Sequence, residues 1–289
     1  MLNLLDTKNF KPFSLPFWAA TAAALLLSSL PINAKQKASN WSIVKEKAEA
    51  QVLIKNRAEA IQLIKEFLED NTNSSKQAEA QEFLIYISHM FLTENAQKMY
   101  YLSRSLLETE PQRAKEKLIS TLALEPLNEK VLNELVRLLL RLDDCQLANK
   151  YSQQATDQDP YFYKTQLLLL NSFHCLKEWE KFKQTKESLL ANHQLKERDK
   201  NIINLLEVEK NLHSEESRDR VDRFIEKYPD FPLSYYLQAK QHSNLNKEAK
   251  KPAEMYLSIC KSQKATVVSG YEDYPRICHY TSEMQTLIK

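Results

Sequence analysis

The sequence predicts an all-α protein built as a solenoid of stacked helix hairpins. Three observations predict it. Pro126 and Pro160 stand 34 residues apart, with small and apolar residues between them at helix-hairpin spacing. From Ser42 to about Asn71, the residues Ile43, Ala50, Ile54, Ile61, Ile64 and Leu68 recur at intervals of three, four or seven, interleaved with Lys and Glu. There is one glycine, Gly270, in 289 residues, where average usage would give roughly twenty.

The scarcity of glycine excludes chemistry as well as folds. Glycine supplies positive-φ turns and the close backbone approaches that phosphate-binding loops require. A Walker loop, a dinucleotide fingerprint and a Gly-x-Ser-x-Gly elbow are therefore all missing from the sequence. Tight two-residue β-hairpins are disfavoured for the same reason. Apolar residues make up 43% and charged residues 27%, as in a folded soluble protein. Forty basic and 38 acidic residues leave a net charge of +2, so no basic balance points to nucleic acid. Most of these charges read as solvated helix faces.

Taken in order, the elements begin with a leader. Lys8 and Lys11 precede an apolar run from Phe17 to Leu30, followed by Ile32-Asn33-Ala34. That order predicts a secretory signal peptide over residues 1–34, cut after Ala34, or an uncleaved N-terminal anchor. The apolar stretch Phe13–Leu30 is 18 residues long and contains Pro16, which is short for a membrane span. No cysteine lies near the cut, so a lipid anchor is not expected. Either reading places residues 35–289 outside the cytoplasm, in a periplasm or cell envelope. The four cysteines, Cys145, Cys175, Cys260 and Cys278, fit such an oxidising compartment. None forms Cys-x-x-Cys, so neither a thioredoxin-like site nor a zinc ribbon is indicated.

The helical stretch from Ser42 to about Asn71 ends at the turn Asn71-Thr72-Asn73-Ser74-Ser75. Ser74 and Gln77 then form a capping-box pattern, predicting a second helix to about Leu92. Thr109 and Gln112 repeat that pattern, with Pro111 in the first turn of a helix that stops at Pro126. Setting Pro126 and Pro160 at position 32 of two repeats fixes a register. The repeat 129–162 then places Leu132, Leu135, Val136 and Leu139 at positions 4, 7, 8 and 11, Ala148 at 20 and Ala155 at 27. The repeat 95–128 places Ala114 at 20 and Leu118 at 24, and 163–196 places Leu169, Leu170 and Phe173 at 7, 8 and 11. One inserted residue extends the register to 197–231, with Val221, Phe224 and Pro229 at 24, 27 and 32, and then to 232–264, with Tyr235 and Ala239 at 4 and 8.

Over Asn95–Lys264 the chain thus resembles a tetratricopeptide-repeat protein, with degenerate helical repeats over 35–94 and an irregular cap over 265–289. Position 8 is Leu or Val where the family prefers Gly, position 24 of the second repeat is Ser152, and position 32 of the third is Gln194. The resemblance implies a right-handed superhelical solenoid whose concave face, lined by the first (A) helix of each hairpin, binds a partner protein or peptide. On this register the groove is lined by Lys130, Asn133, Arg137 and Arg141, then by Lys164, Leu167, Asn171 and His174. Ile202, Leu206 and Lys210 follow, then Tyr236 and Lys240. The mildly basic lining suits a segment with an acidic end. The register also implies disulfides Cys145–Cys175, on the edge where A helices turn into B helices, and Cys260–Cys278, tying the last helix to the tail. Tyr271, Tyr274 and Ile277 of that tail are expected to cover the terminal apolar face.

Enzyme signatures are sparse. The six histidines are dispersed without a His-Glu-x-x-His motif, and the acidic residues spread at helix-surface spacing, so no metal, cofactor or catalytic pair is assigned. The expectation is an exported protein-binding scaffold or adaptor. The alternatives are an envelope enzyme of the cell-wall hydrolase type on a helical solenoid and a membrane-anchored assembly factor.

Overall fold

The computed structural model of the protein describes residues 40–71, 75–242, 249–262 and 271–288. The leader, Ser74 of the first capping-box pattern and Gly270 lie outside them. The described residues are all-α and form a solenoid of hairpins within one compact unit, Ala38–Lys289.

The first three helices are α1 (Trp41–Leu53), α2 (Arg57–Asp70) and α3 (Gln77–His89). The continuous helical stretch expected from Ser42 to Asn71 is in fact two helices. Lys55 adopts φ 63°, a left-handed turn that a helix interior does not tolerate. Asn56 then caps α2 by accepting from the Glu59 amide. The buried face of α1 also differs from the expected one. Trp41, Val44 and Ala48 face the core, whereas Ile43 is 51% exposed and Ile54 69% exposed. The indole of Trp41 sets that rotation, packing on Phe67 at 5.0 Å and on Phe83 at 5.8 Å between ring centroids. On α2, Ile61, Ile64 and Leu68 are buried as the periodicity requires.

Five further hairpins follow. They are α4 (Glu94–Leu106) with α5 (Pro111–Leu124), α6 (Glu129–Arg141) with α7 (Cys145–Gln158), and α8 (Tyr163–Leu176) with α9 (Trp179–Leu190). Next come α10 (Glu197–Glu207) with α11 (Glu215–Lys227), and α12 (Pro232–Gln241) with α13 (Lys250–Ser262). A short helix, α14 (Thr281–Ile288), closes the described chain. The Thr109–Gln112 capping box does not form: the N-cap of α5 is Glu110, whose side chain bonds no helix amide. Pro111 occupies the first position of α5, where its missing N–H leaves no gap. The caps that do form are Asn40, Asn56, Thr93, Asn128 and Ser214.

Small residues let the helices of a hairpin approach closely. Ala114, Ala148 and Ala155 are each 0% exposed, beside Leu118, Leu132, Leu135 and Val136. Ser152, where the repeat pattern asks for an apolar residue, is also fully buried. Its hydroxyl donates to the Asn149 carbonyl at 3.0 Å and lies 3.3 Å from the Ser172 hydroxyl, so its polarity is matched. Gln194 replaces the proline of the third repeat. Its amide donates to Asn192 Oδ1 at 2.8 Å, an Asx turn that redirects the chain by hydrogen bonding instead of ring geometry.

Candidate functional site

The A-helix face of α6, α8, α10 and α12 is filled by the chain's own C-terminal segment, residues 271–288. Arg137 on α6 donates to Asp273 Oδ1 at 2.6 Å, a contact between residues 136 apart. Asn171 on α8 donates from Nδ2 to the Asp273 carbonyl at 3.1 Å and to the Leu167 carbonyl at 2.7 Å. On α10, Asp199 accepts from the Tyr274 hydroxyl at 3.3 Å. On α12, Tyr236 stacks on Tyr280 at 3.9 Å with ring planes 12° apart, and Lys240 pairs with Glu283 at 2.7 Å. Arg198 lies 4.8 Å over the Tyr271 ring.

The segment is packed as core. Tyr271, Tyr274, Ile277 and Met284 are all buried in the same cluster as Leu167, Ile202, Leu206 and Tyr236. Between them a cavity of only about 10 Å³ is left beside His174, Leu206, Tyr274 and Tyr280, roughly one water sphere. Burial in this setting pushes the Tyr271 hydroxyl up to about 12 and the Tyr274 hydroxyl well above its ordinary value. Both stay neutral donors to carboxylates, Tyr271 to Asp230 at 3.2 Å and Tyr274 to Asp199.

Two cysteine pairs brace the arrangement. Cys145 and Cys175 are bridged, as are Cys260 and Cys278, each with 5.7 Å between Cα atoms. The first joins the start of α7 to the end of α8. The second ties α13 to the tail immediately before α14. Arg276 of the tail crosses between them, pairing with Asp143 and reaching Cys175 Sγ at 2.7 Å. Burial opposes ionisation of Asp143, yet the Arg276 guanidinium holds that carboxyl below its usual range.

The remaining residues expected to line the groove are dispersed. Asn133 is 3% exposed and donates to Thr165 Oγ1 at 2.9 Å, linking α6 to α8 inside the core. His174 is 4% exposed, packs against Trp179 and Phe182, and meets Glu209 at 2.9 Å. Burial lowers the pKa of His174; burial also opposes the ionisation of Glu209, but His174 and Lys177 hold that carboxyl down at about 2. Arg141 turns away to Glu108 at 2.8 Å. Lys130 lies over the rings of Phe91 and Tyr100 at 5.9 and 5.4 Å. Lys164 and Lys210 are exposed. The structure therefore gathers Arg137, Asn171, Tyr236 and Lys240 around one occupant. The residues missed by sequence reasoning are the tail's own partners, Asp273, Tyr280 and Glu283. Their signal was the pairing of aromatic and acidic residues in a segment outside the 34-residue period.

This geometry defines the class of protein: an all-α hairpin solenoid whose A-helix face holds a peptide segment through charge, amide and ring contacts. No protein-family model matches the sequence, and no curated protein matches it. Among solved structures, the chain is similar to a tetratricopeptide repeat protein from Parabacteroides merdae ATCC 43184. That similarity is at 14% identity and a TM-score of 0.43, covering 86% of this chain and 97% of that one. Among the described residues, no helix is long and apolar enough to cross a membrane.

Proposed function

We propose that this chain is an exported scaffold of five tetratricopeptide-like repeats that binds a partner protein and carries out no covalent chemistry. The occupied A-helix face is the observation that supports this reading. Arg137, Asn171, Tyr236 and Lys240 engage the carboxylates, a main-chain carbonyl and an aromatic ring of a peptide segment, the same contacts by which helical grooves recognise partners. The segment is the chain's own, so the lysines it leaves unengaged, Lys130, Lys164 and Lys210, are the groove positions assigned to a partner. Export is supported by the leader-like N-terminus and by two bridged cysteine pairs. A hydrolase would need an accessible carboxylate pair. Glu129 and Asp159, whose charges act on each other, are each 0% exposed.

The test is native purification of chains carrying a photo-crosslinking residue at Lys164 or Lys210. A discrete protein adduct is expected. No adduct from either position, together with cleavage of cell-wall glycan by the purified protein, would overturn the scaffold reading. Mass spectrometry of the mature chain is expected to find Lys35 as its first residue, and an intact Met1 would remove the cleavage step.

A further inference from the structure

A second site lies away from the A-helix face, in a cavity between α9, α10 and α11. Its volume is about 470 Å³, and its walls carry four cations, Lys186, Arg220, Arg223 and Lys227, against one lining carboxylate, Glu207. That volume is in the range of real ligand sites, roughly 300–1,000 Å³. Glu207 is already engaged, by Lys186 at 2.6 Å and Arg220 at 3.9 Å. Arg220 is further held by Glu216 at 2.7 Å. Among the described residues, Arg223 and Lys227 make no ion pair with any carboxylate, and both are exposed at the mouth. They stand four apart on α11, so the helix itself presses two like charges together. The floor is aromatic: Phe224 is buried with its ring 4.9 Å from that of Tyr228. Asn201 donates to the Tyr228 hydroxyl at 3.1 Å, fixing that ring, while Asn204 lines the wall beside it.

We propose that this cavity is the docking site for an acidic segment of the partner protein, one presenting two neighbouring Asp or Glu side chains. The chain shows the chemistry elsewhere, since its A-helix face takes Asp273 on Arg137 and Glu283 on Lys240. Those groove cations are held by carboxylates within the molecule, whereas Arg223 and Lys227 meet none among the described residues, Lys227 lying only over the Tyr228 ring at 5.4 Å. The Arg223 guanidinium offers a planar fork for one carboxylate, and Lys227 a point charge for the next. Phe224 and Tyr228 pack on the apolar stems, and the Asn204 amide in the wall suits the segment's main chain. Unpaired like charges at the mouth make the site selective: a neutral or basic segment leaves their repulsion uncompensated.

This inference rests on the protein-binding reading above, and its test separates the two. The full mature chain is titrated with the tetrapeptide Glu-Asp-Glu-Asp and with its amide counterpart Gln-Asn-Gln-Asn. Binding is expected for the acidic peptide alone, weakening as salt is raised. Arg223→Glu with Lys227→Glu is expected to weaken it at least a hundredfold, while Lys183→Glu, on the exposed face of α9 outside the cavity, leaves it unchanged. Thermal melts of the variants check that the fold is kept, as exposed helix positions predict. Equal binding of both peptides, or acidic binding that survives the double reversal, overturns the proposal. So does saturation by pyrophosphate with no response to the peptide, which would make the cavity a phosphate site. A crosslinked partner at Lys164 without peptide binding sinks only this inference. Peptide binding without any partner protein sinks the scaffold reading instead.

Discussion

Asp159 sits at the junction of α7 and α8 with no exposed surface. Its Oδ1 accepts from the amides of Tyr161 and Phe162 at 2.9 and 3.1 Å, which starts the next helix. Burial, reinforced by the charge of Glu129, pushes its carboxyl up to about 7. A carboxyl raised in the folded state gives stability that is complete below the unfolded value, near 4, and is lost as pH rises through about 7. Asp159→Asn keeps the accepting oxygen and removes the charge. The variant is expected to melt roughly 5 °C or more above the parent at pH 8 and close to it at pH 4. A gain that is equal at both pH values would show that the Asp159 charge is not the cause. Nothing in the sequence announced this residue, because its charge state depends on burial and on Glu129 of α6, which the sequence alone does not place beside it. The same reason hid the rotation of α1. Ile43 and Ile54 fit a helical period, but Trp41 decided which face is covered.

At the scale of elements, the joint between the N-terminal helices and the repeats turns on Glu125. Its carboxylate accepts from Arg57 on α2 at 2.9 Å, from the Leu92 and Thr93 amides at 2.9 and 2.8 Å, from the Thr93 hydroxyl and from Asn128. Arg57 and Glu125 are each 4% exposed, and Arg57 also donates to the Met90 carbonyl. Burial disfavours the charge on both, but the Asn128 and Arg57 bonds hold Glu125 below its usual range. Glu125→Ala strands the guanidinium and two amides without their acceptor. The expected loss is about 3–5 kcal/mol in urea unfolding, with Glu125→Gln falling between. A loss under about 1 kcal/mol for Glu125→Ala would show that water replaces the carboxylate. The helix-hairpin class was legible at this scale, since prolines and alanine spacing act within a few residues. The joint was not, because Arg57 and Glu125 are 68 apart and each alone reads as a surface charge.

Over the whole molecule, the tail changes how a solenoid holds together. A linear array of hairpins is stabilised by nearest neighbours alone and can unfold piecemeal. Here Asp273 reaches α6 and α8, Tyr274 reaches α10, and Tyr280 and Glu283 reach α12, so one short segment ties four A helices. Contacts 136, 102 and 75 residues apart turn local stability into shared stability. The bridge Cys260–Cys278 closes an 18-residue separation and keeps the segment near its seat, a restraint worth about 3 kcal/mol. Tyr274→Ala removes a ring that is 2% exposed and the hydrogen bond to Asp199, a loss of about 3–5 kcal/mol. Its consequence should exceed that figure in kind. The parent is expected to unfold in one transition. The variant should show two, with hydrogen exchange rising first in α10, α12 and residues 271–288 while α6 and α7 stay protected. Cys278→Ser should move the same way by a smaller amount, because the seat remains while the restraint is gone. A single transition in both variants, shifted without change of slope, would mean that the hairpins already share their stability without the tail.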